Sequence, residues 1–234
     1  MSGNNLARTV LILGASRGIG LGLVREYLSR GWKVIATQRA AHAVSPLGEL
    51  AEGAQGGLWL ETADINDQAG IARLAQRLDG TVLDLLFVVA GVSDDPSQTI
   101  GQISTDEFTR VMVINALSPL RAIETLAPLV SLDGSIAVLS SALGSISTNT
   151  DGGYETYRAS KAALNMLLRS YAERVKDGRS ILALMPGWVK TDMGGPDAQV
   201  EVADSAAGLA DTIAQHERQP GLVFVDYQDN VIPW

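Results

Sequence analysis

Seven short apolar runs punctuate this chain, and most are separated by stretches with helical character. The runs are Thr9–Leu13, Lys33–Thr37, Gly57–Leu60, Leu83–Val89, Ser135–Leu139, Ile181–Met185 and Leu222–Val225. They are short, often β-branched and bounded by turn residues, as buried strands are. Stretches near 18–30, 67–78, 105–130, 155–176 and 200–216 read as helices. Strands alternating with helices form βαβ units, and such units make a parallel sheet. The expected fold is α/β: about seven parallel strands with helices on both faces, in one domain over residues 1–234.

Within that pattern the first strand matters most. Thr9–Leu13 runs into Gly14-Ala15-Ser16-Arg17-Gly18-Ile19-Gly20, and a helix follows until Gly31. Glycines between a strand and a helix allow a tight turn and close backbone approach by a pyrophosphate, which then rests on the helix N-terminus. The arrangement is that of a Rossmann-like, doubly wound sheet. Ser104 and Glu107 have capping-box spacing at the head of the third helix, and Pro119 and Pro128 should bend or end it. Ala40–Gly56, Ser93–Gly101, Gly144–Gly153 and Gly194–Gln199 should be irregular. Trp32 and Trp59 should be packing residues, and His42 and His216 isolated surface groups.

Tyr157-Arg158-Ala159-Ser160-Lys161 is the second conspicuous element. On a helix, residues four apart share a face, and the helix formers after Lys161 support that placement. A nearby ammonium favours the phenolate, so Lys161 should lower the pKa of Tyr157 towards neutrality. A phenol so tuned can give or take a proton.

Composition removes several function classes. Of 234 residues 46% are hydrophobic, enough for a sizeable core. Eighteen basic against 26 acidic side chains leave a net charge of -8 and no basic run, a poor match for nucleic acid or an anionic membrane. There is no cysteine, hence no disulfide or thiol chemistry. The two histidines have no metal-ligand spacing, so no metal site is expected. Neither a membrane-spanning run nor a signal pattern is apparent, so the cytoplasm is the expected location.

The residues also resemble a known family. Gly14–Gly20, Ala90-Gly91, Asn115, Ser140-Ser141, Tyr157–Lys161 and Pro186-Gly187 stand in the order found in the short-chain dehydrogenase/reductases, over nearly the whole chain. Leu143-Gly144-Ser145-Ile146, Asn149–Gly153, Ser160–Asn165, Pro186–Met193 and the ending Ile232-Pro233-Trp234 are similar to the sniffer-type carbonyl reductases and C-factor signalling proteins. The resemblance implies Tyr157 as catalytic acid and Lys161 as the group that holds the nicotinamide ribose. It implies Ser141 as donor to the substrate carbonyl, with Ser145 and Ser147 as alternatives, and Asn115 as organiser of a water that relays protons to Lys161. It puts Thr191 on the carboxamide, Pro186 and Gly187 beneath the nicotinamide, and Asp64 on the adenine edge. Ser16, Ile19, Ile65, Ala90, Gly91 and Val189 join the cofactor contacts. One departure stands out: the family's N-N-A-G is Val88-Val89-Ala90-Gly91 here.

Charge selects the cofactor. The second strand ends Gln38-Arg39 without an acid that would favour a ribose 2′-hydroxyl, and Arg17 lies in the glycine loop. Two guanidinium groups suit a phosphate, so NADP(H) is expected. The substrate wall, Val92, Ser93, Leu143, Tyr154, Trp188 and Met193, is mostly apolar and favours an uncharged ketone, aldehyde or quinone. The expected function is NADPH-dependent carbonyl reduction. The alternative is a C-factor-like signalling or dinucleotide-binding protein with little turnover. Apolar residues on several faces of the 105–130 and 155–176 helices point to a homodimer or homotetramer.

Overall fold

The structure, a computed structural model, describes residues 7–40 and 45–234. Seven strands form one sheet: β1 (Thr9–Leu13), β2 (Lys33–Gln38), β3 (Leu58–Thr62), β4 (Leu83–Val88), β5 (Val130–Leu139), β6 (Ser180–Met185) and β7 (Gly221–Asp226). Their spatial order is β3-β2-β1-β4-β5-β6-β7, and every neighbouring pair is parallel. The fold is therefore the doubly wound Rossmann type expected from the alternation of elements.

The two-residue period of the strands divides the core. On β1, Leu11 and Leu13 face a layer with α3 (Gln68–Arg77), α5 (Ser118–Leu126) and α6 (Glu155–Val175). Val10 and Ile12 face the opposite layer with α1 (Gly18–Ser29), α2 (Pro46–Gly53) and α7 (Val202–Gln215). Burying one such aliphatic side chain is worth about 1.5–3 kcal/mol, so both faces of the sheet must be covered. Among the described residues no helix is long and apolar enough to cross a membrane.

The structure departs from the sequence expectation in several places. The 40–56 stretch contains α2, because Ser45 accepts a hydrogen bond from Gly48 N (3.0 Å) and Pro46 occupies the first turn. The 105–130 helix is divided. α4 (Thr105–Met112) passes into a π-helical turn at Val113–Leu117, then α5, then a single 3₁₀ turn at Ala127–Leu129 carrying Pro128. β5 begins at Val130 rather than Ser135, with a register shift against β4. Trp59, on the edge strand β3, is 46% exposed rather than packed, whereas Trp32 lies 4.9 Å from the Tyr27 ring. Half of the capping box forms: Glu107 N donates to Ser104 Oγ at 3.1 Å, but the Glu107 carboxylate pairs with Arg110. His216 bonds Asp229 at 2.7 Å, and His42 lies outside the described residues.

Candidate active site

The strand order reverses between β1 and β4, and ligands of doubly wound sheets enter the crevice at the C-terminal ends of such strands. Here that crevice is built by backbone. Gly14 N donates to Thr37 Oγ1 at 3.1 Å and Ala15 N to Thr37 O at 2.9 Å, tying the loop after β1 to the end of β2. Val89 N and Ala90 N both donate to Leu13 O, at 2.9 and 3.1 Å. The replacement of two asparagines by Val88 and Val89 is thus absorbed. Their backbone still bonds, and their side chains pack in the two core layers.

The loop fits a dinucleotide. Gly14 has φ +93°, and a methyl there would lie 2.9 Å from Ala90 N; one at Gly20 would overlap Gly14 O. Both positions need glycine. Arg17, the residue before α1, is extended and supplies no side-chain cap, and the first turn of α1 has no acid. The first N–H groups of a 12-residue helix are therefore left for an anion. Gly14, Ser16, Gly18, Ile19 and Gly20 surround that position. Asp64 Oδ1 accepts from Asn66 N at 2.9 Å, shaping the turn after β3, and Ile65 packs on the core.

The candidate acid–base residues lie at the end of β5 and on α6. Ser140 is buried and donates to Asn165 Oδ1 at 2.7 Å. Ser141 accepts from Leu143 N at 3.1 Å, and its hydroxyl lies close enough to Tyr157 to oppose the rise in the phenol's pKa. Ser145 and Ser147 pair with each other at 3.3 Å, and Ser147 also donates to the Trp234 main-chain oxygen at 2.9 Å. Of the candidate serines, Ser141 is the one that acts on Tyr157 electrostatically. Lys161 Nζ lies 5.7 Å from the centre of the Tyr157 ring and donates to Leu139 O at 2.8 Å.

The electrostatics correct one expectation. Burial pushes the Tyr157 phenol up to about 12, opposed by the Ser141 hydroxyl. Burial also pushes the Lys161 ammonium down, to about 8. Desolvation dominates at Tyr157, and the lowering by Lys161 that the spacing of the pair suggested is not among the causes of the shift. Tyr157 is a protonated phenol at neutral pH.

Asn115 sits in the π-helical turn and is fully buried. Such turns commonly mark functional positions. Asn115 Oδ1 accepts from Val92 N at 2.9 Å, while Nδ2 donates to Val92 O at 2.8 Å and Ser160 Oγ at 3.0 Å. The side chain thus binds the loop after β4 to α6. A methyl built on Gly91 would lie 3.4 Å from Asn115 Oδ1 and 3.6 Å from Lys161 Nζ, so the two groups flank Gly91.

Beyond β6, Pro186 O accepts from Ser205 Oγ at 2.7 Å, and Val189 bridges Val200. Thr191 Oγ1 accepts from Gly194 N at 3.1 Å, and Trp188 Nε1 donates to Gly194 O at 2.8 Å. The segment is braced by its own bonds. Tyr154, Trp188 and Met193 stay 42–54% exposed, whereas Val92, Ser93 and Leu143 are half-buried. Arg39 is exposed and makes no ion pair among the described residues. Arg17 is bonded to Asp192 at 2.6 Å. Sequence reasoning did not single out Asp192 or the Ser147–Trp234 brace, because both contacts join residues far apart in the chain. A groove of about 390 Å³, floored by Val175, Ile181 and Leu222, lies at the opposite ends of β6 and β7, away from Tyr157.

Comparison with known proteins gives the family and agrees with the fold. The sequence matches the family model described as short chain dehydrogenase over residues 8–201. A solved structure described as a short-chain dehydrogenase/reductase from Burkholderia multivorans with bound NADP superposes with a TM-score of 0.95. It is 45% identical and covers 97% of this chain and 100% of its own. A carbonyl reductase from Pseudomonas aeruginosa PAO1 in complex with NADP gives a TM-score of 0.90 at 38% identity, with the same coverage. The 1-hydroxy-2-glutathionyl-2-methyl-3-butene dehydrogenase of Rhodococcus sp. (strain AD45) is 37% identical, over 88% of this chain and 90% of its own.

Proposed function

The chain belongs to the short-chain dehydrogenase family, and from that premise we propose that it is an NADPH-dependent reductase of uncharged carbonyl compounds. The observation that carries the reading is the Ser141–Tyr157–Lys161 set beside a glycine loop whose helix offers uncapped N–H groups. The NADP in two structures alike in fold over 97% of the chain supports the cofactor. So does the absence of an acid where β2 ends at Gln38-Arg39. NADPH, when bound, supplies the hydride.

The chain's own residues supply position and proton. Ser141 and Tyr157 present hydroxyls to the substrate oxygen, where negative charge develops during reduction. Tyr157, protonated at neutral pH, transfers its proton to that oxygen. Lys161 in its ammonium form favours the phenolate left behind. Asn115 holds the Val92 loop and Ser160 in register, and a water between its Oδ1 and Lys161 would complete a proton relay. Arg17 and Arg39 offer guanidinium groups to a 2′-phosphate, and Thr191 stands ready for the carboxamide. Val92, Leu143, Tyr154, Trp188 and Met193 would form an apolar wall that itself brings no cation to hold a carboxylate substrate.

The test is NADPH oxidation, followed at 340 nm, with a panel of ketones, aldehydes and quinones. Turnover with at least one uncharged carbonyl compound is expected. NADPH binding without turnover on any of them would favour the signalling or dinucleotide-binding alternative.

A further inference from the structure

We propose that Asp192 is an internal competitor for Arg17, weakening cofactor binding and setting how strongly the site prefers a phosphorylated dinucleotide. The inference rests on the dinucleotide-binding reading above and concerns a residue that reading does not use.

Arg17 precedes α1 in the glycine loop, and its Nη1 donates to Asp192 Oδ2 at 2.6 Å. The contact joins residues 175 positions apart and brings a carboxylate to the mouth of the anion cradle. The neighbouring residues confirm how close the two segments run. A methyl at Gly18 would lie 3.3 Å from Thr191 Cγ2. The first turn of α1 carries no acid of its own. Asp192 therefore introduces a negative charge beside a helix start that is otherwise kept free of one. Lys190 does not neutralise it, because Lys190 is paired with Glu201.

Two effects follow from one carboxylate. The guanidinium bonded to Asp192 is not fully available to a phosphate, since its charge and donors are shared between two anions. Asp192 also repels any phosphate that enters the cradle. Both side chains of the pair are highly exposed, 72% and 80%. Exposed pairs are weak, shifting an equilibrium by about 1.5- to 5-fold. Asp192 thus tunes binding and does not lock the site. NADPH, which carries the extra phosphate, has more to gain from Arg17 than NADH has. Coupling is reciprocal: a dinucleotide that takes Arg17 releases Asp192 and loosens the tie between the glycine loop and the 192–200 segment.

The experiment measures NADPH and NADH affinity by fluorescence titration for four proteins: the parent, Asp192→Asn, Arg17→Ala and the double variant. Asp192→Asn should bind NADPH about 1.5- to 5-fold tighter at low ionic strength. The gain should be smaller for NADH and should shrink in high salt. It should also be larger with Arg17 present than in the Arg17→Ala background, the non-additivity expected of a competing pair. Equal gains with and without Arg17, or no gain for NADPH, would overturn the proposal while leaving the cofactor assignment intact. Failure of the parent to bind either dinucleotide would instead overturn the cofactor assignment and this inference with it.

Discussion

The buried ammonium of Lys161 should leave a signature in stability against pH. Lys161 is 4% exposed, and burial lowers its pKa from 10.5 to about 8. At about 1.4 kcal/mol per tenfold change in proton affinity, the displacement corresponds to about 3 kcal/mol of destabilisation at neutral pH. The sign follows from proton counting. Below pH 8 the folded and unfolded chains both hold the proton, and the cost is fully present. Between pH 8 and 10.5 the unfolded chain holds more proton, so stability rises with pH. Tyr157 acts oppositely and in a higher window. Its raised pKa costs stability only as pH climbs from 10 to about 12. The range between pH 8 and 10 therefore isolates Lys161. Urea unfolding without cofactor should show a gain of about 2 kcal/mol across it. Lys161→Met should abolish that rise, after subtraction of the general effect of growing negative charge. A parent curve that is flat relative to the variant would refute the assignment of a desolvated ammonium at Lys161.

Other outcomes follow from the same geometry. Arg39→Ala should weaken NADPH by about 10-fold in fluorescence titration and leave NADH little changed, since a charge-assisted contact is worth about 1.5–3 kcal/mol. Gly20→Ala should abolish dinucleotide binding and lower the melting temperature, because the added methyl overlaps Gly14 O in the turn; unchanged binding would contradict the cradle. Light scattering at micromolar concentration should report a dimer, because Leu117, Met166 and Leu167 remain 37–66% exposed on the π turn and α6. A mass near 24.7 kDa, that of one chain, would refute it.

Much of this was legible in the sequence, for identifiable reasons. Most strands are apolar on both faces and declared themselves as runs to within one or two residues; β5 was cut shortest, losing Val130 to Gly134, because Asp133-Gly134 reads as a turn and is accommodated by a register shift. α2 was missed although Ser45-Pro46 is a start signal, since the glycines around it dominated the reading. The break at the π turn was signalled by Pro119, which has no N–H to donate to the Asn115 carbonyl one turn back, but its π form was not. Site residues were legible where spacing fixes them: the glycine loop follows a strand, and Tyr157 and Lys161 lie one helical turn apart. Their protonation was not legible, because it depends on how deeply both are buried. Contacts made across the fold, Arg17 with Asp192 and Ser147 with Trp234, had no local signal at all.

The most direct test of the account is Tyr157→Phe, which removes the hydroxyl and keeps the ring. With a carbonyl substrate that the parent reduces, turnover should fall by about 100-fold or more, while NADPH affinity measured by titration stays close to that of the parent. Turnover equal to the parent's would contradict the assignment of Tyr157 as the acid.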